Sequence, residues 1–533
     1  MICVSLGRTR HKMMIAEHHS LAQRGAQLVE LRLDWLSHLP DMTRLLKERP
    51  TPVIVTCRRG QDKGLWKGGE EQRQTLLRAA IVSDVEYVDL EEDTAGRIPR
   101  YGKTKRIVSH HDFEETPRDL EGIHDRLCKL DPDIIKIVTM ANTPCDAIRM
   151  LQLVQAAAVP TVGFCMGELG AFSRILCGKF GSPFTYATFN KDRQMAPGQL
   201  SFEDMQHIYR YDQIGPATEI FGVLGDPVGH SLSPLIHNAA YKSLGMNKVY
   251  VPFRVPRDQL VPTLARFEWL DVKGYSVTIP HKEAVVSLAQ NFDGPVEQIG
   301  AANTLYQDAQ AQWWASNSDY DAALQSLALA GRDADGNVPT PEEFLTGKKV
   351  LVLGCGGVAR AIGMGIMNCG GALTVTNRTH ARAVDLAMHL GCQQVTWENR
   401  GSQYADVLIN CTSVGMHPGV NDSPYAENWL REGMVVFDTI YNPEQTLFLK
   451  HARLRGCKTV SGVEMFVRQA AVQFEKFTGQ PAPLEIMQRK LRRMISAVTV
   501  KDEDEETAGG AVVRPAETGG IQTNASPRRD AAE

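Results

Sequence analysis

Eight short apolar segments, each followed by residues of helical periodicity, fill roughly the first 210 residues of the chain. The segments are Ile2 to Leu6, Leu28 to Leu33, Val53 to Cys57, Tyr87 to Leu90, Arg106 to Ser109, Ile134 to Thr139, Thr161 to Cys165 and Phe184 to Thr188. Strands that alternate with helices form parallel sheets, because each helix returns the chain to the same edge. Eight such units predict a (β/α)8 TIM barrel and leave a doubly wound open sheet as the alternative.

A second α/β pattern begins at Glu219, after a segment that contains Gly and Pro. Further on, the predicted strand Lys348 to Leu353 runs into a glycine turn and a helix, as in a Rossmann nucleotide-binding unit. The final residues are acidic and then rich in small residues, which predicts disorder. We therefore expect a barrel at 1–212, a second domain at 219–325 that is completed by C-terminal helices at about 465–495, a Rossmann domain at 326–464 and a disordered tail at 500–533.

Charge and cysteine usage bear on partners and compartment. The chain has 58 Lys and Arg against 62 Asp and Glu, a net charge of -4, which favours small-molecule partners over nucleic acid or a membrane surface. No apolar run approaches the roughly 18 residues of a membrane span. The 11 cysteines form no C-x-x-C pair, so we expect free thiols in the cytoplasm and no metal site.

Charged residues lie where several of the predicted barrel strands end. Glu30 and Arg32 share one face of the second strand, Arg58 follows the third, and His111 follows the fifth. Lys136 lies inside the apolar sixth strand. Barrel enzymes hold their catalytic groups at these carboxyl ends. A buried lysine has a lowered pKa and can attack a carbonyl as a Schiff-base nucleophile, although a lysine that extends to solvent from an edge strand is the alternative.

These residues belong to an ordered set of motifs: ELRLD at 30–34, TCR at 56–58, SHHDF at 109–113, Lys136, SR at 173–174 and APGQ at 196–199. The set resembles the type I 3-dehydroquinate dehydratases. The resemblance implies that Lys136 forms an imine with the substrate ketone, that His111 transfers protons and that Glu30 orients His111. It also implies a group of residues that bind the substrate carboxylate and hydroxyls: Arg32, Arg58, Arg174 and Gln199.

Two positions depart from that family pattern. Met195 precedes APGQ where many members have Ser, and Lys67 precedes Gly-Gly where an acidic residue is common. Both are expected in loops that cover the substrate, so we expect them to affect loop closure and affinity more than the imine chemistry.

A glycine-rich turn marks the predicted Rossmann unit. It has the pattern G-x-G-x-x-A, formed by Gly354, Gly356, Gly357 and Ala359. Glycine lets the backbone approach a pyrophosphate at a helix N-terminus. The next predicted strand ends in Asn377, Arg378 and Thr379, with Arg382 close behind, and not in an acidic residue. These arginines favour the extra phosphate of NADP(H); a surface arginine after a core strand is the alternative.

The remaining motifs of this half are GHSLSP at 229–234, SVTIPHK at 276–282, AANTL at 301–305, SNSD at 316–319, INCTSVGM at 409–416, FDTIYNP at 437–443 and GVEMFVRQA at 462–470. They resemble shikimate dehydrogenase. The resemblance implies that Lys282 and Asp319 are the catalytic pair. It implies substrate contacts from Ser231, Ser233, Thr278, Asn303, Tyr441 and Gln469, and further cofactor contacts from Thr412, Met416 and Gly462. Ser276 replaces a common Asn, which shortens one substrate contact.

The order of the two halves resembles the bifunctional dehydroquinate dehydratase/shikimate dehydrogenase family. It implies dehydration of 3-dehydroquinate to 3-dehydroshikimate, followed by reduction to shikimate with NADPH, in a monomer or homodimer. Two alternatives remain at this point. The second half is a quinate- or shikimate-oxidising NAD dehydrogenase, or the chain is a catalytically silent regulator that senses these metabolites.

Overall fold

The computed structural model describes residues 1–495. The tail expected at 500–533 lies outside the described residues. Every helix in residues 1–495 is too short or too polar to cross a lipid bilayer.

All eight predicted strands of the first half are present as one parallel sheet. They are β1 (Ile2–Leu6), β2 (Leu28–Arg32), β3 (Val53–Thr56), β4 (Tyr87–Glu91), β5 (Lys105–Asp112), β6 (Ile134–Met140), β7 (Thr161–Met166) and β8 (Thr185–Thr188). Their order is β7-β6-β5-β4-β3-β2-β1-β8, which follows the sequence around a barrel. A doubly wound sheet would reverse direction midway, so the barrel prediction is confirmed. Within residues 1–495 no ladder joins β7 to β8, and the barrel is nearly closed.

Helices surround the barrel strands. They are α1 (His11–Gln23), α2 (Met42–Leu46), α3 (Glu70–Val82), α4 (Glu92–Ala95), α5 (Leu120–Cys128), α6 (Pro144–Ala156) and α7 (Ala171–Leu176). Successive side chains of strand β6 point alternately toward the surrounding helices and toward the interior of the barrel. Ile135 and Ile137 pack outward against the helices, whereas Ile134 and Val138 join the inner apolar cluster. Lys136 lies between them and therefore shares the inner face.

The second domain is built on a mixed six-stranded sheet. Its strands are β9 (Glu219–Gly225), β10 (Lys248–Arg254), β11 (Val272–Val277), β12 (Asn291–Asp293), β13 (Thr304–Gln307) and β14 (Trp313–Ser316), in the order β10-β9-β11-β13-β14-β12. Its helices are α8 (Ser233–Ser243), α9 (Leu260–Phe267), α10 (Val296–Ile299) and α11 (Ser318–Leu329). Strand β13 runs antiparallel to both β11 and β14, so this sheet is not a Rossmann sheet.

The third sheet is parallel throughout and has the doubly wound order β17-β16-β15-β18-β19-β20. Its strands are β15 (Lys349–Leu353), β16 (Ala372–Thr376), β17 (Gln393–Gln394), β18 (Val407–Asn410), β19 (Val435–Asp438) and β20 (Lys458–Val460). The helices of this part are α12 (Pro341–Leu345), α13 (Gly357–Asn368), α14 (His380–Leu390) and α15 (Leu447–Leu454). The Rossmann prediction is confirmed. Two further helices, α16 (Gly462–Thr478) and α17 (Leu484–Ile495), return to the second domain, where Phe474 and Leu491 share an apolar cluster with Ile236 of α8.

The barrel and the second domain share one apolar core. A single cluster of buried residues extends from the barrel strands to β14. At its centre Phe172 of α7 packs against Phe253 and Phe267, with ring centroids 5.2 and 5.4 Å apart respectively. The two parts are therefore joined through packed side chains and not only through the linker.

Candidate active sites

A cavity lies among the carboxyl ends of the barrel strands. Every residue predicted for the barrel site lines it: Glu30, Arg32, Arg58, His111, Lys136, Arg174 and Gln199. The parallel strands bring these residues together because all eight carboxyl ends meet at one rim.

Lys136 is at the centre of a layer formed by four alternate strands. Its Nζ donates to Asp89 Oδ2 of β4 at 3.0 Å and lies 3.7 Å from Glu30 Oε1 of β2. The same nitrogen is 4.0 Å from the centre of the Tyr186 ring on β8. Alternate strands of a (β/α)8 barrel place their inward side chains at the same height. The sequence analysis missed Asp89 and Tyr186, although the alternation in Tyr87–Glu91 puts Asp89 on the inner face.

Asp89 also binds Arg58. Arg58 Nη2 donates to Asp89 Oδ1 at 2.9 Å, and Arg58 Nη1 donates to Glu91 Oε1 at 3.0 Å. Burial alone would raise the pKa of Asp89, but the charges of Arg58 and Lys136 lower it well below its ordinary value. Asp89 is therefore a carboxylate at neutral pH, and Arg58 is fixed by buried carboxylates before any substrate arrives.

His111 is a neutral imidazole in this cavity. Burial lowers its pKa well below 6.5, and the charges of Arg58 and Lys136 act in the same direction. Its ring stacks on Phe113 with centroids 6.0 Å apart. A neutral imidazole has a free nitrogen lone pair, so His111 can accept a proton at neutral pH.

The expectation that Glu30 orients His111 is not met by the geometry. Glu30 accepts hydrogen bonds from Ser5 Oγ at 2.6 Å and from Thr56 Oγ1 at 2.8 Å. Its carboxylate is thus held by the neighbouring strands β1 and β3, and the described residues show no hydrogen bond from it to His111. The contacts connect Glu30 with the Lys136 amine instead.

Arg174 is a buried cation to which no carboxylate in the described residues is paired. Its side chain lies over Phe164, with Cζ 4.3 Å from the ring centre, and the residue is 2% exposed. Its Nε and Nη2 have no hydrogen-bond partner within residues 1–495, and burial lowers its pKa to about 10. Leaving a buried guanidinium unpaired is costly, so this side of the cavity is suited to a carboxylate ligand.

The two remaining predicted substrate residues of the barrel, Arg32 and Gln199, already have hydrogen-bond partners within the protein. Arg32 makes a bidentate pair with Asp34, at 2.9 and 2.8 Å. Gln199 Oε1 accepts from the backbone N–H of Met195 at 3.0 Å, and Met195 lines the cavity as expected. Lys67, in contrast, is exposed and is not among the cavity-lining residues, which include Asp62 and Lys63 from the same loop.

A second pair of charged residues lies between the second domain and the glycine turn. Lys282 Nζ donates to Asp319 Oδ2 at 2.6 Å, and both side chains are largely buried. The aliphatic part of Lys282 packs so closely on Gly357 that a Cβ there would lie 3.2 Å from its Cδ. The predicted catalytic pair therefore adjoins the predicted cofactor turn.

Polar residues around this pair are linked by hydrogen bonds. Asn303 Nδ2 donates to Ser318 Oγ at 2.9 Å, and Ser276 Oγ donates to Gln473 Oε1 at 2.6 Å. Gln473, which the sequence analysis missed, also donates to the backbone carbonyl of Asn303 at 3.0 Å. Ser276 is thus part of a buried network with α16.

The remaining predicted substrate residues lie at the start of α8, after β11, after β19 and on α16. The Ser233 N–H donates to Ser231 Oγ at 3.3 Å, and Thr278 directly follows β11. Tyr441 stacks on Phe466 with centroids 4.2 Å apart, and Gln469 Nε2 donates to the Phe466 carbonyl at 2.9 Å.

The glycine turn has the geometry that close approach of a ligand needs. Gly354 has a φ of +101°, and a Cβ there would lie 2.9 Å from the Cys411 carbonyl oxygen. Gly356 precedes α13, and a Cβ added there would meet nothing within 4 Å. The turn thus leaves open space at a helix N-terminus, where backbone N–H groups stabilise phosphate charge.

Most of the other predicted cofactor residues lie after the carboxyl ends of β16 and β18, the strands that flank β15 and its glycine turn. Asn377, Arg378 and Thr379 follow β16, and Arg378 and Arg382 are exposed with no ion pair in the described part of the chain. Thr412 Oγ1 donates to Asn410 Oδ1 at 2.7 Å after β18, and Met416 is exposed. The remaining members, Ala359 and Gly462, are buried, in α13 and at the start of α16. The residues present fit a dinucleotide whose extra phosphate, the one that distinguishes NADP(H) from NAD(H), lies near Arg378.

Comparison with known proteins assigns the barrel and the second half of the chain to two different enzyme families. Residues 2–216 match the model of the type I 3-dehydroquinase family, residues 223–305 match the shikimate dehydrogenase substrate-binding domain, and residues 462–492 match the shikimate 5'-dehydrogenase C-terminal domain. The chain is 37% identical over 503 residues to the chloroplastic bifunctional 3-dehydroquinate dehydratase/shikimate dehydrogenase of Arabidopsis thaliana, covering 91% of this chain and 83% of that protein. This chain belongs to the bifunctional 3-dehydroquinate dehydratase/shikimate dehydrogenase family.

As a member of this family, the chain combines a lyase with an NADP-dependent oxidoreductase. Its second half is 38% identical over 296 residues to the NADP(+) shikimate dehydrogenase of Moorella thermoacetica, which spans 54% of this chain and 96% of that enzyme. Among solved structures, the shikimate 5-dehydrogenase of Thermus thermophilus in complex with NADP(H) and shikimate is 32% identical, covers 52% of this chain and 99% of that one, and has a TM-score of 0.46.

Proposed function

We propose that Lys136 and His111 carry out the dehydration of 3-dehydroquinate, and that Lys282 and Asp319 serve the reduction of the product. The observation that carries the proposal is the buried Lys136 amine, which faces a cavity that also holds the unpaired guanidinium of Arg174. A ketone that also bears a carboxylate matches these two groups: an amine to attack the carbonyl and a cation to hold the anion.

The dehydratase half works through an imine on Lys136. The Lys136 ammonium first passes a proton to neutral His111, and the free amine then attacks the substrate ketone. His111 returns that proton to the former ketone oxygen, which leaves as water, and the resulting iminium acidifies the adjacent carbon. Neutral His111 accepts a proton from that carbon and returns it to the departing hydroxyl, so that water leaves. A second water then hydrolyses the imine, releasing 3-dehydroshikimate and free Lys136.

Asp89 and Glu30 support this sequence of steps. They lie 3.0 and 3.7 Å from Lys136 Nζ and stabilise the positive charge of the iminium. Arg174 binds the substrate carboxylate. Arg32, Arg58 and Gln199 bind the substrate hydroxyls. Their side chains are already held in position by hydrogen bonds within the protein.

The dehydrogenase half uses the Lys282–Asp319 pair. The glycine turn, Asn377, Arg378, Thr379 and Arg382 would hold NADPH, which would supply the hydride when bound. Lys282 gives a proton to the ketone oxygen of 3-dehydroshikimate, and Asp319 keeps the ammonium in place through the 2.6 Å hydrogen bond. The hydroxyls of Ser231, Ser233 and Thr278 and the polar groups of Asn303, Tyr441 and Gln469 bind the substrate.

The direct test mixes the purified protein with 3-dehydroquinate and NADPH and follows the loss of nicotinamide absorbance. We expect NADPH consumption without any added enzyme, because both sites are then needed in turn. If NADPH is stable, the same assay with 3-dehydroshikimate identifies the failing half. Recovery would contradict the proposed barrel site, and continued absence of turnover would contradict the dehydrogenase assignment and favour a metabolite-sensing regulator.

Arg378→Ala is expected to weaken NADPH binding by about 10- to 100-fold while changing NADH binding by less than about two-fold, because only NADPH has the phosphate that Arg378 would bind. The measurement is the Michaelis constant of each nicotinamide with 3-dehydroshikimate. Arg332→Ala, an exposed arginine outside the cofactor turn, is the control. An equal loss for both nicotinamides would contradict the phosphate role of Arg378.

We also propose the domain division 1–212, 219–325 and 326–464, with the helices at about 465–495 completing the second domain. Helix α11 crosses the boundary at 325 and connects the two parts, because its residues Leu324 and Leu327 pack in the core of the third sheet. The separate strand pairing of the three sheets and the packing of α17 against α8 support it. The cytoplasm is the proposed compartment, which is supported by the 11 free cysteines.

A further inference from the structure

One arginine connects the rim of the barrel with the segment from the end of β9 to the first residue of α8, which carries the predicted substrate residues Ser231 and Ser233 and is called here the substrate loop. Arg254, the last residue of β10, donates from Nη1 to Glu168 Oε2 at 2.6 Å and from Nε to Asp226 Oδ1 at 2.7 Å. Glu168 lies just beyond the carboxyl end of β7, and Asp226 directly follows β9. The hydrogen bond to Asp226 and the charges of both carboxylates raise the pKa of the guanidinium above its ordinary value. The bridge therefore joins two loops at the edges of the two active sites.

On the barrel side, the bridge leads to the loop that covers the cavity. The Gly167 N–H, next to Glu168, donates to the Pro197 carbonyl at 3.2 Å. Gly198 approaches so closely that a Cβ on it would lie 2.7 Å from the Gly167 carbonyl oxygen. Gln199, the next residue, lines the cavity. A displacement of Glu168 would thus be transmitted to the covering loop, because the two backbones are in direct contact.

On the other side, the bridge leads to the catalytic lysine. The Asp226 N–H donates to the Ile279 carbonyl at 2.9 Å. The ring of His281 donates from Nε2 to the carbonyl of Val255, the residue after Arg254, at 2.7 Å. Lys282 follows directly. The segment that carries Lys282 is therefore hydrogen-bonded both to Asp226 and to the end of β10.

We propose that Arg254 is a positioning residue for both active sites, and that it sets the covering loop of one and the substrate loop of the other at the same time. The inference rests on the proposed function. The three side chains are partly exposed, so the bridge adds little to the stability of the fold. Its effect is on geometry: a small misplacement of a binding loop weakens the binding of substrate and transition state.

Three neutral variants test the bridge: one removes both arms, and two isosteric variants each remove one arm. Arg254→Gln removes both ion pairs, and we expect the KM values for 3-dehydroquinate and 3-dehydroshikimate to rise about three- to ten-fold, with kcat changed less than about two-fold. Glu168→Gln should raise only the first KM, and Asp226→Asn only the second. Arg254→Lys, which keeps the charge, should recover part of each loss. Arg257→Gln, at an exposed arginine three residues on, is the control.

Unchanged KM values in Arg254→Gln would overturn the inference, as would equal effects of the two single-arm variants on both activities. A fall in Tm without a change in KM would assign the bridge a purely structural role and also overturn it. If Arg254→Gln does not fold, Glu168→Gln and Asp226→Asn still test the inference, because each should raise the KM of one activity only. Failure of the proposed function is distinct, because it would appear as absent turnover in the unmodified protein.

Discussion

Lys136→Ala is expected to abolish the dehydration of 3-dehydroquinate, with a loss on the order of 10⁴-fold or more, while leaving the reduction of 3-dehydroshikimate intact. Without the primary amine no imine forms, and the remaining groups in the cavity have no nucleophile to activate. The two activities are measured separately on one preparation. Borohydride with 3-dehydroquinate should add a substrate-derived mass to the unmodified chain and none to the variant.

Folding of this variant needs its own control. Removing one partner of a buried ion pair costs about 3–5 kcal/mol, although Asp89 keeps its pair with Arg58. Lys136→Arg retains the positive charge beside Asp89 and lacks the amine chemistry, so it should fold and remain inactive as a dehydratase. The dehydrogenase rate reports on folding in both variants, because the barrel shares its core with the second domain. Dehydratase turnover in either variant would exclude the imine.

Lys282→Ala is expected to lower kcat for the reduction of 3-dehydroshikimate by about 10²- to 10⁴-fold, the usual contribution of a positioned proton donor. Dehydration of 3-dehydroquinate should continue, so the mixed assay would accumulate 3-dehydroshikimate. The measurement is kcat and KM for reduction, together with product analysis of the mixed assay.

Asp319→Asn is the matched variant for this pair. It removes the charge that holds Lys282 at 2.6 Å and retains a polar side chain of similar size, so we expect a smaller loss than in Lys282→Ala. Glu283→Gln, next to Lys282 and exposed, should have little effect. A kcat that is unchanged in Lys282→Ala would show that another group donates the proton.

Much of the fold could be predicted from local pattern. The period of two placed Glu30 and Arg32 on one face of their strand, and the alternation of strands with helices predicted the barrel, because both depend on residues that are close in the chain. The glycine pattern at 354–359 predicted the Rossmann turn for the same reason, since Gly354 adopts a φ that other residues rarely reach.

Partner choice among buried side chains was decided by the tertiary structure. Asp89 and Lys136 are 47 residues apart and two strands away from each other, and they meet because alternate barrel strands place side chains in one layer. The partners of Glu30 were decided in the same way: the register of β1 and β3 against β2 gives Glu30 the hydroxyls of Ser5 and Thr56, and its orientation of His111 stays a prediction.

The sequence by itself therefore determined the two folds, their order and the family, since strand period, turn glycines and motif spacing are local properties. Only the tertiary structure decided which charges are paired, that two buried nitrogens of Arg174 find no hydrogen-bond partner among residues 1–495, and that Arg254 bridges the two halves. The physical reason is that hydrogen bonds and burial depend on distances between atoms from remote segments, and packing of the elements fixes those distances.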